Sequence, residues 1–230
     1  RMLETKCVGD KIWMQGNVIT EIITDFSQSV MKIAIIGRTE ILYDTAIYLK
    51  EAGHDICCII TAKEAPEYTR TVEDFRRMAK LFNIPFASGP KIIKDIDLLR
   101  DSDAEIGVSI NYTGLIPQSV IDIFPLGLLN SHGGDLPRYR GNACQAWAIL
   151  NAEKQIGLCI HKMIGDELDS GDIIERDYLK IDHNSKITQV LEWTHKRIPA
   201  LMLSAVNKLS NDSSYFLEKQ SRELKDISEP

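Results

Sequence analysis

The sequence predicts an α/β fold: a doubly wound, Rossmann-like, mainly parallel sheet with helices on both faces. Three observations carry this expectation. From Met31 onward, short apolar runs of strand length alternate with stretches of helical spacing. The first run, Lys32-Ile-Ala-Ile-Ile-Gly37, is continuously apolar over Ile33–Ile36, as a strand covered on both faces must be. Glycine and proline punctuate the seams between the two patterns.

Taken in order, Glu40–Ala52 has helical spacing, with Ile41, Ala46, Ile47 and Leu49 on one side and Gly53 as its stop. Asp55–Thr61 reads as the second strand and Val72–Phe82 as the second helix. Asn83-Ile-Pro85 turns into a short third strand. Ala104–Ile110 is the fourth strand. A helix from Pro117 to about Ile123 leads to a fifth strand, Leu126–Asn130. Beyond residue 151 the pattern changes. Gly157–Met163 and Ile173–Ile181 read as strands around a loop, Gly165–Asp172, before a last helix from about Lys186 to Leu209. Residues 1–30 read as an N-terminal extension, although Asn17–Val30 also reads as a helix packed on the core. Residues 31–209 read as one main domain, and 210–230 as a polar tail, frayed or partly helical.

The 230 residues, 44% hydrophobic and 26% charged, suit one soluble domain with short appendages. Apolar runs such as Ile56–Ile60 are too short to span a bilayer, and Met2–Gln15 mixes charge where a signal peptide would not. A cytoplasmic location, with no membrane partner, is the default expectation. Cys7, Cys57, Cys58, Cys144 and Cys159 are odd in number and form no CxxC pair, so reduced thiols are expected rather than a disulfide framework or a zinc site. The five histidines lack metal-ligand spacing. A formal net charge of −6 weighs against nucleic acid as a partner.

Chemistry concentrates in Asn130-Ser-His132-Gly-Gly-Asp-Leu-Pro-Arg138-Tyr139-Arg140-Gly141, directly after a strand. Ligands of such sheets bind outside the carboxyl ends of the strands, which places Asn111, Asn130 and His132 near one rim. Asn130 and His132, two residues apart in extended chain, point to one side. An amide there can stabilise a tetrahedral oxyanion, and an imidazole can exchange a proton with an attacking amine. Asp169, in the glycine-containing loop, is the candidate for the third group that orients or charge-balances the histidine. Arg138 and Arg140 read either as solvated charges or as phosphate contacts. His161 reads equally as a site residue or a satisfied core histidine. His54, His183 and His195 read as surface residues, and Trp147 and Trp193 as core.

Asn-x-His, then Leu-Pro-Arg-Tyr-Arg-Gly, then Leu-Asp-Ser-Gly-Asp resembles the folate-dependent formyltransferase family over roughly residues 31–185. The resemblance implies a catalytic Asn130, His132 and Asp169, with 10-formyltetrahydrofolate as co-substrate and no metal. It implies folate contacts at Tyr112, Thr113, Leu115, Ile164, Gly165 and Asp166. Acceptor contacts are expected at Asn111, Arg138, Tyr139 and Arg140. Two departures stand out: Gly134 and Asp135 replace the usual residues after the histidine, and Asn142 stands where some sugar-modifying relatives carry arginine.

Three acceptors compete. Methionyl-tRNA formyltransferases carry a further C-terminal domain, for which this chain is expected to leave no room. Glycinamide ribonucleotide enzymes place a glycine-rich phosphate loop where this chain reads Gly37-Arg38-Thr39-Glu40, a poor phosphate cradle. The expected acceptor is therefore a nucleotide-linked amino sugar, such as a GDP- or dTDP-4-amino-4,6-dideoxyhexose. Hydrolysis of the formyl donor and folate binding without transfer are the readings of another class. The resemblance also admits a homodimer.

Overall fold

The computed structural model describes residues 29–220, together with two short strands, β1 (Trp13–Met14) and β2 (Asn17–Val18), which pair antiparallel. The remaining positions expected to form the N-terminal extension, and 221–230, lie outside the described residues. Where it is described, the stretch from Asn17 begins as a strand and not as the alternative helix.

β3 (Lys32–Gly37) lies at the centre, and its alternation builds both layers. Ile33 and Ile35 face one side with α1 (Glu40–Glu51), α2 (Val72–Phe82) and α6 (Ile187–Asn211). Ala34 and Ile36 face the other, against α3 (Ile96–Asp101) and α4 (Gln118–Ile121), while α5 (Cys144–Leu150) packs against Ile156 and the Val190 turn of α6. Every one of Ile33–Ile36 is inaccessible to solvent, which is why this strand carries no polar side. The seven-stranded sheet runs β5 (Phe86–Ser88), β4 (Asp55–Thr61), β3, β6 (Ile106–Ile110), β7 (Leu128–His132), β8 (Gln155–Lys162), β9 (Ile173–Lys180). The first five are parallel; β8 and β9 close one edge antiparallel. The doubly wound, mainly parallel fold is thus the one the sequence predicts.

Local chemistry sets the helix ends. The Thr39 hydroxyl accepts the Leu42 N–H at the start of α1, and Gly53, at φ 95°, follows its C-cap. A reciprocal Thr71–Asp74 capping box opens α2, and left-handed Asn83 ends it. The chain turns out of β3 at Gly37, whose φ is 133° and where a Cβ would stand 2.1 Å from the Ile110 carbonyl oxygen.

Three expectations are corrected. The fifth strand runs two residues further along, to His132, because β7 gains a new partner in β8 as β6 ends. His54 is buried, not superficial: its Nδ1 accepts the Met31 N–H at 3.2 Å and its Nε2 lies 3.1 Å from Asn207 Oδ1. Residues 212–220 form a strap docked on β9, not a frayed end, with Leu217 N–H donating to Ile173 O at 2.7 Å and Ile173 N–H to Glu218 O at 2.8 Å. The short helix α3 and the 3-10 turn before it, Ile92–Asp95, were not anticipated from the sequence.

Replacing Gly37 with alanine should lower stability by about 1–3 kcal/mol, from the positive φ and the clash together, read as a lower urea midpoint at unchanged slope.

Candidate active site

The register between β7 and β8 builds the site. Asn130 stands opposite Ser109 on one side and His161 on the other; His132 stands opposite Cys159. Alternation keeps Asn130 and His132 on one face, and cross-strand pairing brings His161 to the same face. Asp169 enters from the β8–β9 loop at φ 47°.

These four side chains form one cluster. Asn130 Nδ2 lies 3.2 Å from His161 Nε2. Asp169 Oδ1 lies 3.4 Å from His161 Nε2, and its Oδ2 lies 3.4 Å from His132 Nδ1. The Gly141 N–H donates to Asp169 Oδ2 at 3.1 Å. His161 is 1% exposed, His132 7% and the Asp169 side chain 9%. Asn130 and His132 therefore share a centre, yet His161 and Asp169 stand between them.

Hydrogen-bond geometry assigns the tautomers. His132 Nε2 faces the Tyr139 carbonyl, so it carries a proton and donates. In a neutral ring, Nδ1 is then an unprotonated nitrogen turned towards a carboxylate. Uptake of a proton at Nδ1 converts that opposition into attraction, which is what a general base needs. His161 Nδ1 lies 2.9 Å from the Lys162 carbonyl and donates to it, leaving Nε2 to accept from Asn130.

Burial is the largest influence on His132 and pushes its pKa below the ordinary value; Asp169 pulls it up, and the charge of His161 pushes it down further. Burial alone would raise the Asp169 carboxyl. The contact with His161, the positive charge that His132 and His161 carry when protonated and the Gly141 N–H outweigh it and hold Asp169 at about 2. The pair rests as neutral imidazole beside carboxylate.

Asn130, His132 and Asp169 line a cleft of about 300 Å³, and His161 contacts Asn130 and Asp169 without lining it. Of the residues expected to hold folate, Tyr112, Leu115 and Ile164 line it. Thr113 opens instead onto a neighbouring cleft with Arg38 and Lys63. Gly165 does not line the catalytic cleft; its N–H donates to Gln118 Oε1 at 2.7 Å, and a Cβ there would meet the Gln118 backbone N at 2.3 Å. Asp166 is exposed, at φ 60°. Asn111 lines the cleft, with its carbonyl accepting from Arg38 Nε at 3.2 Å.

Arg138, Tyr139 and Arg140, expected at the acceptor, do not line this cleft. The loop turns their side chains away while its backbone meets the site. Arg138 pairs with Glu153 at 2.6 Å, and the buried Tyr139 donates its hydroxyl proton to the same carboxylate at 2.9 Å. Arg140 is buried against Gln220. What the loop supplies is the Tyr139 carbonyl and the Gly141 N–H. The cleft also contains residues that the sequence did not single out: Met163, Leu168, Gln145 and Cys144, whose Sγ is 3.6 Å from His132 Nε2. The signal for His161 was its place on a strand beside the motif, but its register with β7 is a tertiary fact. Among the described residues, no cluster of His, Cys, Asp or Glu could hold a metal ion, and no helix is long and apolar enough to cross a membrane.

The family model described as formyl transferase matches residues 31–206, and the chain belongs to that family. A methionyl-tRNA formyltransferase of Prochlorococcus marinus is 29% identical over 209 residues, covering 85% of this chain and 63% of the relative. The chain thus spans less than two thirds of that relative's length. A formyltetrahydrofolate deformylase structure from Pseudomonas syringae superposes with a TM-score of 0.67 at 20% identity, covering 80% of this chain and 63% of that one. A glycinamide ribonucleotide transformylase from Symbiobacterium toebii gives 0.66 at 16% identity, covering 79% and 88%. A sugar 3N-formyltransferase crystallised with dTDP and 5-N-formyl-tetrahydrofolate gives 0.63 at 21% identity, covering 85% and 68%. At these identities the structures establish a shared fold.

Asp169→Asn should remove the upward pull on His132, so that its imidazole titrates lower still, followed by histidine side-chain NMR. A titration moving upward would contradict the assigned geometry. In the parent protein, the depressed imidazole makes stability rise with pH from its folded pKa up to about 6.5. The depressed Asp169 carboxyl adds stability that is present above about 3.9 and lost as pH falls through its folded value, about 2.

Proposed function

We propose that this chain transfers the formyl group of 10-formyltetrahydrofolate to the primary amine of a nucleotide-linked amino sugar. The observation that carries the transfer is the Asn130–His161–Asp169–His132 cluster, of which Asn130, His132 and Asp169 line an open cleft. In this reading the amine nitrogen attacks the formyl carbon, and a tetrahedral oxyanion forms. The Asn130 amide has two N–H groups; one is held by His161 and the other stabilises the oxyanion. His132 takes the amine proton at Nδ1, with Asp169 balancing the imidazolium. Collapse breaks the bond from the formyl carbon to the folate nitrogen, which leaves with a proton. The cleft's rim suits the donor: Leu115 is 59% exposed and Leu168 53%, so two apolar side chains stand ready to cover a flat ring.

The acceptor is argued from the adjoining cavity of about 440 Å³, which shares Asn111, Ser131, Gly133 and Gln145 with the catalytic cleft. Its charged lining includes the Glu40 and Glu67 carboxylates, with Thr39, Tyr68 and Thr194 among its hydroxyls. Carboxylates and hydroxyls suit a sugar ring and oppose a phosphate pressed against this wall. Arg38 and Lys63, on the neighbouring cleft, supply the positive charge a diphosphate needs. Methionyl-tRNA remains the second reading because of the similarity to methionyl-tRNA formyltransferases. Hydrolysis to formate uses the same centre with water in place of the amine.

Incubation with 10-formyltetrahydrofolate and GDP-, dTDP- and UDP-linked 3-amino and 4-amino sugars, read by mass spectrometry, should show one sugar gaining one formyl group. Formylation of methionyl-tRNA or glycinamide ribonucleotide alone would replace the sugar by that acceptor; formate without transfer would make the protein a hydrolase. In the productive assay, Asn130→Ala should cost about 10²–10³-fold in kcat, and His132→Ala about 10²–10⁴-fold. Activity near the parent level in either would overturn the assigned roles.

A further inference from the structure

The geometry points to Gln220, on the strap after α6, as a positioning residue that holds Asp169 in the catalytic cluster. One side-chain amide bridges the two loops that converge on the histidines. Its Nε2 donates to the Asp169 carbonyl at 2.8 Å and to the Gly171 carbonyl at 2.7 Å. Its Oε1 accepts from Arg140 Nε at 3.2 Å and Nη2 at 3.0 Å. Arg140 adjoins Gly141, whose N–H in turn holds Asp169 Oδ2. The amide thus uses both donors on the Asp169 loop and its acceptor on the Arg140 loop.

Asp169 needs such a hold. It is a non-glycine residue at positive φ, in an irregular loop, carrying a buried charge between two imidazoles. Close to it, the loop is pinched at Gly171, where a Cβ would stand 1.8 Å from the Lys162 carbonyl oxygen. The strap that brings Gln220 is itself anchored beside the loop. It pairs with Ile173, and Glu218 forms an ion pair with Arg176 at 2.8 Å. Arg176 also reaches Asp135 at 2.8 Å, which ties the same strap to the segment after His132. Asp135, one of the two departures from the family pattern, thereby gains a structural partner. An extension of helix α6, polar and outside the catalytic motifs, therefore sets the distance between carboxylate and imidazole.

The inference rests on the proposed role of Asp169 in formyl transfer, so its test includes a readout free of any acceptor. The full chain is compared with Gln220→Met, similar in length without hydrogen bonds, and with Gln220→Glu, which keeps the acceptor for Arg140 but loses both donors. Histidine side-chain NMR should show the His132 titration displaced in both variants, recorded at a temperature where circular dichroism shows each variant still folded. In the transfer assay, kcat should fall about ten-fold or more at nearly constant KM for 10-formyltetrahydrofolate, as expected for misplaced catalytic groups. Unchanged histidine titrations overturn the inference, whether or not any acceptor has been found. So does a Gln220→Glu variant with parental titrations and kcat, because the donors to the Asp169 loop would then be dispensable. If the parent transfers formyl to nothing while the variants' titrations still shift, the functional reading falls and the positioning role stands.

Discussion

The structure turns on one buried charge. The Asp169 carboxylate sits with its side chain 9% exposed, where an unpaired ion would be strongly disfavoured. Its oxygens are approached by His161, by His132 and by the Gly141 N–H, from two strands and one loop. Each of these partners is fixed by backbone elsewhere: His161 through the Lys162 carbonyl, His132 through the Tyr139 carbonyl. The carboxylate therefore couples the ends of β7 and β8 to the loops that follow them.

Two packing constraints let those loops close. Gly157 on β8 admits the Asp135 backbone, where a Cβ would lie 2.6 Å from the Asp135 Cα. Gly134 stands against the Tyr139 carbonyl oxygen at 2.4 Å from its would-be Cβ, and at 2.6 Å from His132 Nε2. A larger residue at Gly134 would push the loop off the imidazole, so this departure from the family pattern is accommodated by a tight approach and not by an open gap. The antiparallel edge, β8 and β9, is what lets a mainly parallel sheet carry two histidines on one face beyond the end of β6.

Family membership is the ground for the proposed formyl transfer, and the clefts around the cluster differ in chemistry. The cleft beside Asn130 and His132 offers apolar lips, Leu115 and Leu168, beside a polar floor. The adjoining cavity offers the Glu40 and Glu67 carboxylates and several hydroxyls, and Arg38, stacked on Tyr68 at its edge, faces the next cleft with Lys63.

Much of this was legible in the linear text. Continuous apolar runs identified the central strands, because a strand buried on both faces tolerates no polar residue. Gly53 marked the end of one helix and Pro117 the start of another through local backbone chemistry that needs no distant partner. The spacing of Asn130 and His132 placed them on one face for the same local reason. His161 read equally as a site residue or a core histidine, because the choice depends on the β7–β8 register, and Gln220 was not readable at all, because its place depends on a strap folding back over β9. Arg138 and Arg140 looked like ligand contacts because their type suits phosphate, yet the turn of the loop gave their side chains to Glu153 and Gln220. The sequence by itself determined the strand–helix order and the kinds of groups at one rim, because those follow from local periodicity. Only the tertiary structure decided which groups meet, because a buried charge and its partners come together from segments far apart in the chain.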